Sequence, residues 1–238
     1  MAKSIAFSFG RFNPPTIGHG KLIDMTKGAN RNYRIYASQS QDKKRNPLKH
    51  KDKVALMKGM FPQHAKKIRR DKVITPFDIL VKLYKEKHTD VVMVVGSDRV
   101  KEFENKIIPY NGKKARHGFF RFKSIRVISA GTRDPDEEGV TGMSASKMRA
   151  AVTTNDYKSF AKGLPPKFRG GKKLFKILQK EMGVKRLREW SEIKEVRVKF
   201  LKKKLTRRAK TTPADQLIPH DRAPRIEGFM EMVARKNL

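Results

Sequence analysis

Cysteine is absent from all 238 residues, which excludes disulfides, thiolate metal sites and cysteine nucleophiles. Tryptophan occurs once, at Trp190. Apolar runs are short. None approaches the roughly 18 residues that a membrane span needs, and MAKSIAFSFG at the N-terminus has too little apolar length for a secretory leader. That stretch reads as a first strand, and the cytoplasm is the expected location. Negative charge is scarce as well: 23 Asp and Glu stand against 57 Lys and Arg, a formal charge of +34. Self-repulsion on that scale disfavours a compact state unless a polyanion offsets it, and nucleic acid is the commonest such partner. A charge bias that serves solubility alone is the competing reading.

What is present fills a core: 37% of residues are apolar, and the length suits one full-sized domain with an appendage. Short apolar runs alternate with longer amphipathic ones, the pattern of βαβ units around a parallel sheet. Strands are expected at residues 4–9, 33–37, 72–75, 91–95 and 125–129. Helices are expected at 18–27, 51–60, 77–87, 99–106, 144–153 and 156–162. The run DVVMVVGSD is the clearest strand, continuously apolar as when helices cover both sheet faces. Residues 110–122 read as a loop or insertion, and AGTRDPDEEGVTG, 130–142, as an acidic loop. After GLPPKFRGG the character changes to stretches dense in Lys and Arg, so a domain boundary is expected near residue 165. Residues 1–165 would form the domain and 166–238 a basic, mainly helical extension.

Two stretches carry chemistry. In FGRFNPPTIGHGKLI, residues 9–23, Gly10 lets the backbone approach a ligand and two prolines stiffen the turn. A helix opening at Gly18 would point amides and partial positive charge at an anion. Thr16 and His19 can donate hydrogen bonds to that anion, and Arg11 adds a full charge. In GMSASKMRAAV, residues 142–152, Ser144 and Ser146 offer hydroxyls at a helix start, while Lys147 and Arg149 place two cations in the first turn. Each stretch taken alone is also compatible with a plain connection or a capped basic helix.

Together, GRFNPPTIGH and MSASKMR resemble the signature pair of the HxGH-type nucleotidylyltransferase superfamily. The similarity is closest to its archaeal-type nicotinamide-mononucleotide adenylyltransferases, and NPLKHKDKVALMK, residues 46–58, is similar to a stretch those enzymes carry after their second strand. The chain also looks like nucleotidyltransferase-like proteins of large tailed phages, which would put it in a host cytoplasm or a virion. The resemblance spans about residues 3–165. It implies an α/β Rossmann-like parallel sheet in the order 3-2-1-4-5 and a one-step transfer. An acceptor phosphate attacks the α-phosphate of a nucleoside triphosphate and pyrophosphate leaves, with no protein nucleophile.

By matching positions, His19 would stabilise the transferring phosphate, Thr16 stands where the first motif histidine usually stands, and Arg11 and Arg149 would hold phosphates. Gly10, Phe12 and Gly18 would border the nucleotide, Ser144, Ser146 and Lys147 the triphosphate, and Gly96 and Asp98 of VGSD the nucleoside. Mg²⁺ would bridge phosphate oxygens. The stacking tryptophan of many nicotinamide-nucleotide enzymes is missing from this region; Phe77, Tyr110, Phe119 or Phe120 could stack instead. The implied function is nucleotidyl transfer, with nicotinamide-mononucleotide adenylylation first and cytidylyl transfer second. A non-catalytic nucleic-acid-binding or virion protein on the same fold is the rival.

The remaining residues read more plainly. His50, His64, His88, His117 and His220 have no metal-ligand spacing and read as solvated or capping. Asp134, Asp136, Glu137 and Glu138 read as a flexible acidic loop, so no protein metal site is expected. Past residue 185, Leu187, Trp190 and Ile193 fall at helical spacing. The opposite face carries Arg186, Lys194, Arg197, Lys203, Arg207 and Arg208, which suit the phosphate backbone of a nucleic acid.

Overall fold

The computed structural model describes residues 3–131 and 143–184, together with Lys199. Four apolar, β-branched stretches pair in parallel: β1 (Ser4–Gly10), β2 (Tyr33–Ala37), β3 (Asp90–Val95) and β4 (Ser124–Ser129). Their order is β2-β1-β3-β4. The register runs Ala6 to Tyr33 between β1 and β2, Ser4 to Asp90 between β1 and β3, and Asp90 to Ser124 between β3 and β4. The fold is α/β and Rossmann-like, as expected, and the four strands keep their expected relative order.

The outer strand expected at 72–75 does not form. The place beside β2 is taken earlier in the chain: the Ile35 amide donates to the Lys67 carbonyl at 3.0 Å, and the Arg69 amide donates to the Ile35 carbonyl at 2.8 Å. This gives a single parallel bridge between Ile35 and Ile68. Residues 74 and 75 are drawn instead into the start of α3 (Pro76–Lys85). The Asp78 carboxylate accepts from the Ile74 and Thr75 amides at 2.9 and 2.8 Å, and the Asp78 amide donates to the Thr75 hydroxyl at 3.4 Å. A reciprocal cap with proline behind it outweighs a two-residue β-branched signal.

Alternation along the strands divides the core. Ala6, Ile35, Val92 and Val94 face one side, where α1 (Ile17–Ala29), α2 (His50–Met60), α5 (Ala145–Thr153), α6 (Tyr157–Ala161) and α7 (Gly171–Met182) pack through Ile23, Met57, Met148, Phe160 and Leu174. Ile5, Phe7, Val91 and Met93 face the other, against Ile79, Leu80 and Leu83 of α3 and Ile107 of α4 (Val100–Ile107). Phe120 and Phe122, from the segment expected to be an insertion, fill this second core.

The compact unit runs from Met1 to Lys185, and Arg186–Leu238 is a second unit. The expected boundary near residue 165 therefore falls inside the first unit. GLPPKFRGG is the turn between α6 and α7: Leu164 is in the core, and the Gly163 carbonyl accepts the Ile17 amide at the start of α1 at 2.9 Å. Leu174, Phe175 and Leu178 of α7 are buried in the same core, and Gly183 in the left-handed region (φ 69°) ends that helix.

Candidate active site

In a parallel sheet the loops at the carboxyl ends of the strands form the ligand crevice. Here they enclose a cavity of about 360 Å³. Its walls come from the β1–α1 turn, from residues 45 and 46 after β2, from the turn after β3 and from the start of α5. Gly10, Arg11, Phe12, Thr16, Gly18, His19, Gly96, Asp98, Ser144, Ser146 and Arg149 all line it. Lys147 does not. Its amide donates to the Ser144 hydroxyl at 3.0 Å, the N-cap bond of α5.

The β1–α1 turn is built around Phe12. That residue takes a left-handed conformation (φ 45°) and buries its ring to 1% exposure. A Cβ on Gly10 would stand 3.1 Å from the ring, tight enough to push the ring aside by a few tenths of an ångström, so glycine lets it lie there undisplaced. The same ring meets the His19 imidazole in an edge-type contact, with centroids 4.8 Å apart. Phe12 is thus a wall beneath the imidazole.

His19 is also held from its Nδ1 side. The Thr16 amide donates to His19 Nδ1 at 2.9 Å, and the Thr16 hydroxyl lies 3.0 Å from the same atom. An amide has only a proton to give, so Nδ1 accepts, and the proton of the neutral ring sits on Nε2. Thr16 is 3% exposed and acts on the imidazole directly. Helix α1 begins at Ile17, one residue before the expected start, with Thr16 as N-cap. Two first-turn amides are engaged within the protein, Ile17 with Gly163 and His19 with the Thr16 carbonyl. The helix start therefore offers fewer donors to an anion than the sequence suggested, and side chains carry more of that task.

Arg149 joins the two motifs. Its guanidinium donates to the Asn13 carbonyl at 2.7 Å and to the Ser146 hydroxyl at 3.1 Å. Asn13 in turn accepts the Leu48 amide at 2.9 Å, fastening the segment after β2 to the same turn. Burial, then the nearby charge of Arg11, with a smaller contribution from Arg45, pushes the Arg149 guanidinium below its ordinary pKa, while Asp42 works in the opposite direction. Among the described residues lining the cavity, Arg11, Lys21, Arg45, Arg99 and Arg149 are cationic and Asp98 is the only carboxylate. A polyanion is the ligand that relieves this crowding.

Sequence reasoning missed Arg45, Asn46, Lys21 and Arg99. Asp42 orders the first two. It accepts the Arg45 amide at 2.5 Å and the Asn46 side-chain amide at 2.6 Å, and these bonds, the Arg45 amide first, hold its carboxyl down at about 2. Asn46 lines the cavity and is 7% exposed, and its Oδ1 is a buried acceptor with no partner among the described residues. Arg99 lies over the Phe103 ring at 4.9 Å and pairs with Glu102 at 3.1 Å. The asparagine before a proline in RNPLKH was a usable signal for Asn46; nothing in the spacing of Arg45 or Arg99 marks them.

Other expectations fall elsewhere. His64 and His88 are buried, not solvated: His64 bonds Tyr33 at 2.7 Å and Asp24 at 2.9 Å, and His88 lies 3.2 Å from the Lys3 carbonyl. Phe77, Tyr110, Phe119 and Phe120 do not line the cavity. Arg186, Lys194, Arg197, Lys203, Arg207 and Arg208 lie outside the described residues, as do Trp190 and the acidic residues 134–138. Among the described residues no group of three or more His, Asp or Glu could hold a metal ion, and no helix is long and apolar enough to cross a membrane.

No curated protein sequence matches this chain. Among solved structures, the chain is similar to Plasmodium falciparum nicotinic acid mononucleotide adenylyltransferase complexed with NaAD, at 14% identity over 74% of this chain and 98% of that one, TM-score 0.51. It is similar also to a bifunctional NMN adenylyltransferase/ADP ribose pyrophosphatase from Francisella tularensis, at 13% identity over 85% of this chain and 57% of that one, TM-score 0.52. At such identities the likeness is one of fold. The cytidylyltransferase-like family model matches residues 7–159, a span that holds both motifs and every wall of the cavity. The chain belongs to the cytidylyltransferase-like family of nucleotidyltransferases.

Proposed function

We propose that the cavity moves a nucleoside monophosphate from a nucleoside triphosphate to a small phosphorylated acceptor, with nicotinamide mononucleotide as acceptor and ATP as donor. The observation that carries this reading is the joint placement of His19, Arg11 and Arg149 on one cavity, with Thr16 fixing the imidazole. An acceptor phosphate oxygen forms a bond to the α-phosphorus while the bond to the bridging oxygen toward the β-phosphate breaks. Pyrophosphate carries away the electron pair. The chain supplies position and charge: His19 Nε2–H donates to the α-phosphate oxygens as negative charge grows there, and Arg11 and Arg149 hold the leaving phosphates. Ser144 and Ser146 border the triphosphate at the start of α5. Asn46 Oδ1 accepts from a hydroxyl or amide of the ligand.

Mg²⁺ fits this donor set as a companion of the triphosphate. Asp98, the single carboxylate among the described lining residues, suits a cation that keeps its waters and takes most of its oxygens from substrate. When bound it neutralises charge on the phosphate oxygens. The choice of nicotinamide mononucleotide rests on the motif resemblance and on the substrate named for the Francisella neighbour; the Plasmodium neighbour is named for nicotinic acid mononucleotide, which differs in carrying a carboxylate for the carboxamide. Cytidylyl transfer is the second reading, favoured by the family model itself.

The test is pyrophosphate release measured with each nucleoside triphosphate across a panel of phosphorylated acceptors. ATP with nicotinamide mononucleotide is expected to turn over fastest. Preference for CTP would move the assignment to the second reading. No release with any pair would leave the fold as a non-catalytic, polyanion-binding scaffold.

A further inference from the structure

The segment 110–123 lies apart from the cavity; none of its residues lines it. Its backbone is fixed. The Gly112 amide donates to the Phe120 carbonyl at 2.8 Å, Ala115 and Gly118 exchange two amide bonds, and the Asn111 side chain both donates to and accepts from the Phe122 backbone. Phe120 and Phe122 anchor this cap in the core. Two neighbouring rings point the other way: Tyr110 is 40% exposed and Phe119 37%. Both rest on α3. Tyr110 meets Phe77 with centroids 5.4 Å apart, and Phe119 meets Tyr84 at 5.6 Å. His117 stacks on Phe77 at 4.1 Å. Seven helical rises separate Phe77 from Tyr84, so the aromatic strip is about 10 Å long.

Cations are interleaved with these rings along the segment. Lys113, Lys114, Arg116, Arg121 and Lys123 are exposed, and none joins an ion pair among the described residues. From residue 105 to 133 the chain contains no Asp or Glu. Solubility accounts for exposed lysines, but not for aromatic rings held in water by a fixed backbone among them. A protein partner would favour mixed charge. A flexible polyanion with accessible π-faces meets both features at once, and that is a nucleic acid with unpaired bases; a duplex hides those faces.

We propose that residues 110–123 bind single-stranded nucleic acid, with phosphates on the five cations and bases against Tyr110 and Phe119. The surface works independently of the nucleotidyl-transfer reading.

The test uses the full chain and a fluorescent 20-nucleotide oligo(dT), followed by anisotropy across a salt series. A bromodeoxyuridine-substituted oligonucleotide is crosslinked in parallel and the adducts mapped by mass spectrometry. Adducts are expected within residues 110–123, and Phe119→Ala and Tyr110→Ala should each weaken binding about fivefold or more. Phe119 touches Tyr84, so a second variant guards against loss of the cap itself. Lys113→Ala combined with Lys114→Ala alters no ring and should make the log–log salt slope shallower by about 1.4. Adducts confined to residues 186–238 with all variants binding as wild type would overturn the proposal. So would equal affinity for a duplex of the same sequence, or no binding at all.

Discussion

At His19 two supports meet: a buried ring below and the Thr16 amide and hydroxyl on Nδ1. Replacing His19 by Ala is expected to lower kcat about 10²- to 10³-fold, since a donor to developing charge is lost. Turnover near wild type in a stopped assay would remove the imidazole from the mechanism. Thr16→Val keeps the amide and deletes only the hydroxyl. It should lower kcat about tenfold with KM little changed, the split expected when a positioning contact matters mainly in the transition state; a rise in KM alone would mark Thr16 as a ligand contact. Lys53 gives a prediction about pH. It is fully buried, donates to the Ser38 carbonyl at 2.8 Å, and burial holds its pKa down at about 8 against an ordinary 10.5. The unfolded chain binds that proton more tightly, so the folded state is penalised below pH 8 and gains stability as pH rises from about 8 to 10.5. In urea titrations, the stability difference between wild type and Lys53→Met should move toward wild type across that window; a constant difference would mean the amine is solvated. The motif residues were legible because each set is contiguous in sequence. Arg45 and Arg99 were not, because they reach the cavity only once three parallel strands align their ends.

Strands were readable where apolar runs exceed four residues and are covered on both faces, as in β1 and β3. The stretch 72–75 failed that reading because Thr75 and Asp78 form a helix cap that claims its backbone. The boundary failed for a related reason. Glycine and proline mark a turn equally well between domains and between two packed helices, and only the burial of Leu174, Phe175 and Leu178 decides which this is. This gives a prediction for truncation. A chain ending near residue 167 loses α7 and opens the core beneath α5 and α6, and removing three large buried side chains costs several kcal/mol at about 2–5 each. It should be insoluble or melt far below the full chain. A chain ending at residue 185 should fold and keep its affinity for nucleoside triphosphate in calorimetry. A stable, nucleotide-binding chain ending at 167 would show α7 to be an accessory.

Over the whole molecule, a formal charge of +34 sets the terms. Repulsion among like charges is screened by salt, so the thermal midpoint should rise as sodium chloride increases from low to near-molar concentration, and a flat curve would mean the charges are too dispersed to strain the fold. The bond between Arg149 and the Asn13 carbonyl has a separate consequence, because it joins residues 136 positions apart. During synthesis, the turn that holds His19 emerges first and waits for α5 before the cavity has its last wall. The Gly163 carbonyl, later still, completes the start of α1. A growing chain of 130 residues has the first motif and no enclosed place for a triphosphate. Nucleotide can thus stabilise only a finished domain, by about 2.7 kcal/mol at a hundredfold excess over Kd. Pulse proteolysis of ribosome-stalled chains of increasing length should show protection by nucleotide appearing only after α7 has cleared the exit tunnel. The ligand in effect inspects the chain for completeness before the chain can act on the ligand.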